Sequence, residues 1–170
     1  MFVPAIAMLF SFATVSPSIA QDRDHYRWRD HHHRDWRETE DLVRIHNRWK
    51  PDQFLNIESG RLTSGAIRGR WYSARWTVEE GPDGFVRLRN FWKPNEYIHI
   101  QNGYVEAGPI ERGWWSAMWT IERVPGTDFV RLRNRWKPNK CLNVEHGELE
   151  AGPVGPGWWS AMWTLEPIDD

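Results

Sequence analysis

Beyond residue 41 the chain is written in short alternations of apolar and polar residues. Val86-Arg87-Leu88-Arg89 alternates with period two, the spacing of a half-buried strand. Val86 and Leu88 are expected to face inward, Arg87 and Arg89 outward. The next run, Tyr97 to Ile100, alternates again, with Ile98 and Ile100 inward and His99 outward. Pro94 presets a turn between the two strands. Asn102-Gly103 predicts a tight hairpin after the second strand, because glycine in second place suits the primed turns that match strand twist. A brief third strand ends at Ala107-Gly108-Pro109, and a fourth is predicted over Ser116 to Glu122. Helical periodicity is absent throughout.

This four-strand unit occurs three times: Leu42 to Glu80, Phe85 to Arg123 and Phe129 to Pro167. The anchor residues Trp49, Trp92 and Trp136 are spaced by 43 and 44 residues, and the second and third copies agree at over half of their positions. Ser59-Gly60 and His146-Gly147 stand where Asn102-Gly103 does. Three copies fall short of the four blades that a propeller needs. The closed architecture with three four-stranded units is the β-trefoil, a six-stranded barrel capped by three hairpins. The expected fold is therefore all-β, a β-trefoil over residues 41–170 with repeats of about 43 residues.

The tryptophan count fits that barrel. Of 13 tryptophans, most recur in the tracts WYSARW (71–76), WWSAMW (114–119) and WWSAMW (158–163). On a strand, Trp115, Ala117 and Trp119 share a face, and two indoles around a small alanine fill a barrel interior without clash. Tyr72-Ala74-Trp76 and Trp159-Ala161-Trp163 repeat the arrangement. Trp71, Trp114 and Trp158 have the opposite parity and are expected to be the least buried.

Composition changes the picture at the N-terminus. Residues 1–20 carry no charge and end in Ser18-Ile19-Ala20, the pattern of a secretory signal cleaved after Ala20. No Lys or Arg precedes the apolar run; the alternative is a retained anchor, although Pro4 and Pro17 break the run and it is short for a span. Residues 21–40 alternate opposite charges with histidine and have too little apolar surface to offset their ordering entropy, so they read as a tail. His25, His31, His32 and His33 within it are either a candidate site for zinc, copper or nickel or part of a solvated spacer. With a single cysteine, Cys141, the chain has no internal disulfide and must rely on its core. Net charge is −1 and the repeats are balanced, which leaves no basic excess for nucleic acid.

The stretch NRWKPNKCLNV, Asn134 to Val144, resembles the N-x-x-x-G-K-C-L-D-V stretch of ricin B-type β-trefoil lectins, and Ala-Met-Trp resembles the Q-x-W that ends each of their repeats. The resemblance covers all three copies. It implies a saccharide site in each, built from an aspartate on the second strand, an aromatic platform and an Asn-Gln pair before Q-x-W. The aspartate place holds Asn56, His99 and Asn143, and the Asn-Gln place holds Ser73-Ala74, Ser116-Ala117 and Ser160-Ala161. Trp71, Trp114 and Trp158 are the candidate platforms.

No nucleophile elbow, phosphate loop or zinc-protease helix is present. Cys141 stands where the other copies have Phe54 and Tyr97, which makes it a packing residue rather than a nucleophile. Two readings remain. One is a secreted, non-enzymatic, lectin-like module that binds a glycan or polysaccharide without a cofactor, and whose candidate residues are Asn56, Trp71, His99, Trp114, Asn143 and Trp158. The other is an inhibitor-type or structural β-trefoil of the cell envelope with a protein partner. Both place the protein outside the cytoplasm, secreted, periplasmic or in the envelope, with no stable membrane span.

Overall fold

A computed structural model describes residues 41–168. The signal reading of residues 1–20 and the tail with His25, His31, His32 and His33 lie outside the described residues. Each repeat contributes four strands, as the alternation predicts. The first has β1 (Asp41–Asn47), β2 (Gln53–Asn56), β3 (Thr63–Ala66) and β4 (Trp76–Glu80). The second has β5 (Val86–Asn90), β6 (Tyr97–His99), β7 (Glu106–Gly108) and β8 (Trp119–Arg123). The third has β9 (Val130–Asn134), β10 (Cys141–Asn143), β11 (Glu150–Gly152) and β12 (Trp163–Pro167).

The first and last strands of the repeats pair antiparallel in a ring, β1-β4-β5-β8-β9-β12, and β12 returns to β1 through Ile45 opposite Leu165. Closure leaves the barrel without an edge. The remaining strands form the hairpins β2-β3, β6-β7 and β10-β11. This is a β-trefoil.

The core sits inside the barrel and beneath the hairpins. Ile45, Leu88 and Leu132 come from the first strands, Trp76, Trp119 and Trp163 from the last, and Leu55, Ile98 and Leu142 from the hairpins; all are fully buried. Each buried indole has a polar edge that needs a partner in an apolar setting. Trp76 Nε1 donates to Leu55 O, Trp119 Nε1 to Ile98 O and Trp163 Nε1 to Leu142 O, each at 2.9 Å. The indole thus ties the barrel to its own hairpin cap.

Three expectations are corrected by the structure. The last strand of each repeat starts at the final tryptophan of the tract, not at the serine. Residues Tyr72–Ala74, Trp115–Ala117 and Trp159–Ala161 form single 3-10 turns instead. Met118 N bonds Trp115 O at 3.1 Å, and Ala117 N bonds Trp114 O. A 3-10 turn advances about 120° per residue rather than the 180° of a strand, so side-chain parity is broken there. As a result Trp115, Trp159 and Tyr72 swing outward, each 54% exposed, while Ser116, Ala117 and Met118 turn inward. The two indoles of each tract do not share the core.

The hairpin loops are also longer than the two-residue turn expected. β6 and β7 are joined by residues 100–105. Ile100 leaves the sheet, drops into the core and takes a backbone bond from its N–H to Ser116 O at 3.2 Å. Gly103 then closes a turn onto Ile100 O with φ of 90°, a left-handed conformation that favours glycine. Gly60 and Gly147 do the same in the other copies.

His99, finally, is not on an outward face. It is only 4% exposed, because the chain that leads into the 3-10 turn folds back over the hairpin.

Candidate functional site

The sequence-predicted residues fall on the hairpins and the chain that follows them, where burial and local hydrogen bonds decide what each can do. Asn56 Oδ1 accepts from Glu58 N at 3.2 Å, and its Nδ2 donates to Phe54 O at 3.1 Å. Asn143 makes the same pair of bonds, from Glu145 N at 3.1 Å and to Cys141 O at 3.2 Å. His99 Nδ1 accepts from Gln101 N at 3.3 Å. All three side chains are buried, and their polar atoms hold the backbone that leaves the second strand. Each also lies over a glycine of the third strand. A Cβ added to Gly108 would stand 3.1 Å from His99 Nε2, one on Gly152 3.5 Å from Asn143 Nδ2, and one on Gly65 3.7 Å from Asn56 Nδ2.

Among the candidate platforms, the structure brings Trp114 against His99, edge-on at 5.7 Å between ring centroids. Trp71 and Trp114 are half-buried, while Trp158 is 39% exposed and leans on Gly155, where an added Cβ would meet its ring at 2.9 Å. The place over His99 is therefore filled by the protein's own indole. Burial pushes the His99 pKa down, and the nearby Glu106 carboxylate, 3.7 Å from Nδ1, partly opposes this. The neutral ring is consistent with an Nδ1 that accepts a hydrogen bond.

The more open aromatic surface lies one residue on, and the sequence reading missed it. Trp115, Trp159 and Tyr72 each have one supported side. The Arg135 guanidinium sits 4.4 Å from the Trp115 ring and 4.3 Å from Phe85, and it also bonds Asp83 Oδ2 at 3.1 Å. Arg48 sits 4.2 Å from Trp159 and 4.6 Å from Phe129. Arg75 covers Tyr72 at 4.5 Å, and Phe91 stacks on the same ring with centroids 5.9 Å apart. Such cation–π contacts fix an exposed ring in one rotamer. A ring already ordered loses less entropy when a ligand stacks on it.

The buried serine that follows the ring holds a polar partner in two repeats. Ser116 Oγ donates to Gln101 Oε1 at 2.6 Å, and Ser160 Oγ donates to Glu145 Oε2. Glu58 is the counterpart in the first repeat, exposed and with Ser73 Oγ lacking a partner. Recurrence of Glu58, Gln101 and Glu145 two places after Asn56, His99 and Asn143 is the signal that could have flagged them. Chemically, an exposed flat ring suits the C–H side of a pyranose, and an amide or carboxylate suits its hydroxyls. Among the described residues no group of three or more His, Cys, Asp or Glu side chains is placed to hold a metal. No helix among them is long and apolar enough to cross a membrane.

No family model matches the sequence, and no curated protein matches it. Solved structures do. A GlcNAcα1-4Gal releasing endo-β-galactosidase from Clostridium perfringens is 34% identical over 76% of this chain, with a TM-score of 0.68. This chain spans about a third of that enzyme, 33% of its length. The designed threefold-symmetric protein ThreeFoil superposes over 75% of this chain and 99% of its own, with 15% identity and a TM-score of 0.66. SeviL, solved with asialo-GM1 saccharide, does so over 75% and 97%, with 20% identity and a TM-score of 0.62. The chain shares the β-trefoil fold of these structures.

Proposed function

We propose that this chain is a non-enzymatic carbohydrate-binding module that acts outside the cytoplasm, secreted or held in the cell envelope. The observation that carries the reading is the exposed indole of the second and third repeats, Trp115 and Trp159, each with a guanidinium over its ring and followed by a serine bonded to Gln101 or Glu145. A ring of that kind stacks on the C–H face of a sugar while the polar neighbour takes its hydroxyls. Two comparisons support it. SeviL, a chain of nearly the same extent, was solved with a saccharide. The endo-β-galactosidase, which acts on a glycan, carries a similar unit over a third of its length. The uncharged leader ending in Ser18-Ile19-Ala20 supports export. Three pseudo-equivalent sites favour a repeating polymer, where weak contacts add through effective concentration.

Within this reading Trp115 and Trp159 are the stacking rings, with Trp114 and Trp158 at their side. Asn56, His99 and Asn143 then shape the hairpin beneath the sugar instead of touching it. That internal use of the hairpin polar groups is also the one observation that favours the second reading, a protein-binding β-trefoil of the envelope. A glycan and polysaccharide screen read by intrinsic tryptophan fluorescence separates the two. A saturable, sugar-specific shift that weakens about tenfold in Trp115→Ala, with melting unchanged, is the expected result. Silence across plant, bacterial and animal glycans would reject the module and turn the search to a protein partner.

A further inference from the structure

The first strand of each repeat carries an arginine at one position: Arg44, Arg87 and Arg131. In two repeats its guanidinium closes down on the loop that follows the third strand. Arg44 Nη2 donates to Gly69 O. Arg131 Nη2 donates to Gly155 O at 3.0 Å and to Pro156 O. In the second repeat the same loop reads Ile110-Glu111-Arg112-Gly113, with Arg112 at the place of Gly69 and Glu111 at the place of Gly155. There a cleft of about 350 Å³ opens between arginine and loop. Pro109 and the Tyr97 ring form its walls, and Arg87, Asn95, Glu111 and Arg112 supply its polar groups.

Arg87 is the unusual member. Its Nε is buried without a partner, as are those of Arg44 and Arg131, but among the described residues its outer nitrogens have no carbonyl such as the other two meet. A partly desolvated guanidinium that lacks an acceptor is poised for an oxyanion, and its planar fork matches the two parallel oxygens of a carboxylate. Arg87 and Arg112 against Glu111 leave the cleft one charge positive. Glu79 stands opposite Arg87 in the β4–β5 register, but its carboxylate is paired with Arg89 and bonded to Tyr97. Tyr97 does not oppose an anion, since burial and then Glu79 push its pKa up and keep the phenol neutral.

We propose that this cleft is a subsite for the carboxylate of an acidic saccharide, with Arg87 as the group that binds the anion. The inference rests on the module reading and sharpens it to a ligand class. The Tyr97 ring flanks the sugar, Asn95 takes a hydroxyl, and Glu111 accepts from a second one. The first and third repeats lack the cleft's open arginine, so acid recognition belongs to the second repeat alone.

The test is calorimetric titration of the full chain with a glucuronate-containing oligosaccharide and with the same oligosaccharide carboxyl-reduced to the alcohol. The acid form is expected to bind about tenfold tighter, a gap that shrinks as salt rises. Arg87→Gln should erase the gap and leave the reduced form's affinity as it was, whereas Arg131→Gln should preserve the gap. If Arg87→Gln fails to fold, the exposed Arg112→Gln should narrow the gap. Equal binding of the two forms by the parent, or a gap that survives in Arg87→Gln, would overturn the subsite while the module reading stands. Tighter binding of a sulfated oligosaccharide than of the glucuronate would overturn the carboxylate assignment. A parent that binds none of these and no neutral glycan would remove both readings.

Discussion

The indole nitrogen of Trp119 donates to the carbonyl oxygen of Ile98 at 2.9 Å, a bond between barrel and hairpin cap that spans 21 residues of chain. Both groups are buried, so water cannot replace either partner. Trp119→Phe keeps most of the ring but orphans the Ile98 carbonyl. The expected cost is about 1–3 kcal/mol in denaturant unfolding, with an unchanged slope. Trp115→Phe, four residues earlier on an exposed ring, is expected to stay within about 0.5 kcal/mol of the parent. Equal losses at the two positions would mean that the tract packs as one unit, against the geometry described above.

That contrast also marks what the sequence disclosed. Alternation in Val86-Arg87-Leu88-Arg89 and the 43–44 residue period led to twelve strands and a closed barrel, because period two and repetition are direct consequences of backbone geometry. The tract Trp-Trp-Ser-Ala-Met-Trp was harder. Strand and 3-10 turn both suit small residues, and only the bond from Met118 N–H to Trp115 O selects the turn and throws Trp115 outward. His99 and its Asn counterparts look solvent-facing by parity, yet burial there comes from chain that folds back from Trp114, a tertiary effect with no local trace. The cations behind the exposed rings were out of reach for a similar reason. Arg135 and Trp115 belong to different repeats and meet when β8 pairs with β9, while Arg48 and Trp159 meet only when β12 closes the barrel onto β1.

Asn134 is a buried tie between repeats. Its Nδ2 donates to Ser116 O at 2.8 Å and to Met118 O at 3.4 Å, while Oδ1 accepts from the N–H of Trp136 and Lys137. Asn47 and Asn90 do the same at the other junctions. Asn134→Asp keeps the acceptor half and replaces the donor with a buried negative oxygen that faces a carbonyl. At neutral pH it should cost about 2–4 kcal/mol. Protonation restores a donor, so the folded-state pKa of this aspartate is raised and the gap from the parent should narrow between about pH 7 and about pH 4. Thermal melts of both proteins across that range measure it, and a gap that widens in acid would refute the assignment.

Cys141 is fully buried on β10, and burial pushes its thiol pKa up, with Arg133 opposing in part. The thiolate is the reactive form, so the native protein should resist alkylation by iodoacetamide at about pH 8. Labelling followed by mass spectrometry should rise through the unfolding transition and track it. Rapid labelling of the folded chain would show that the hairpin β10-β11 opens on its own, well below the global unfolding free energy.

His99 makes stability depend on mild acid. Its folded pKa lies below the ordinary 6.5, so between that value and the folded one the unfolded chain binds the extra proton. The stabilising contribution of the neutral ring is thus complete above about pH 6.5 and is lost as pH falls through the folded pKa. Protonation also removes the Nδ1 acceptor from Gln101 N–H, while Glu106 softens the penalty. His99→Asn, which installs the side chain used at Asn56 and Asn143, keeps an acceptor that does not titrate. The variant is therefore expected to lose less melting temperature than the parent between about pH 7 and about pH 5. It should not become pH-independent, because burial lowers the His46 pKa as well, with Glu166 opposing. Parallel melting curves for parent and variant over that range would mean that His99 binds its proton equally in the folded and unfolded chain, and the acid sensitivity would pass to His46.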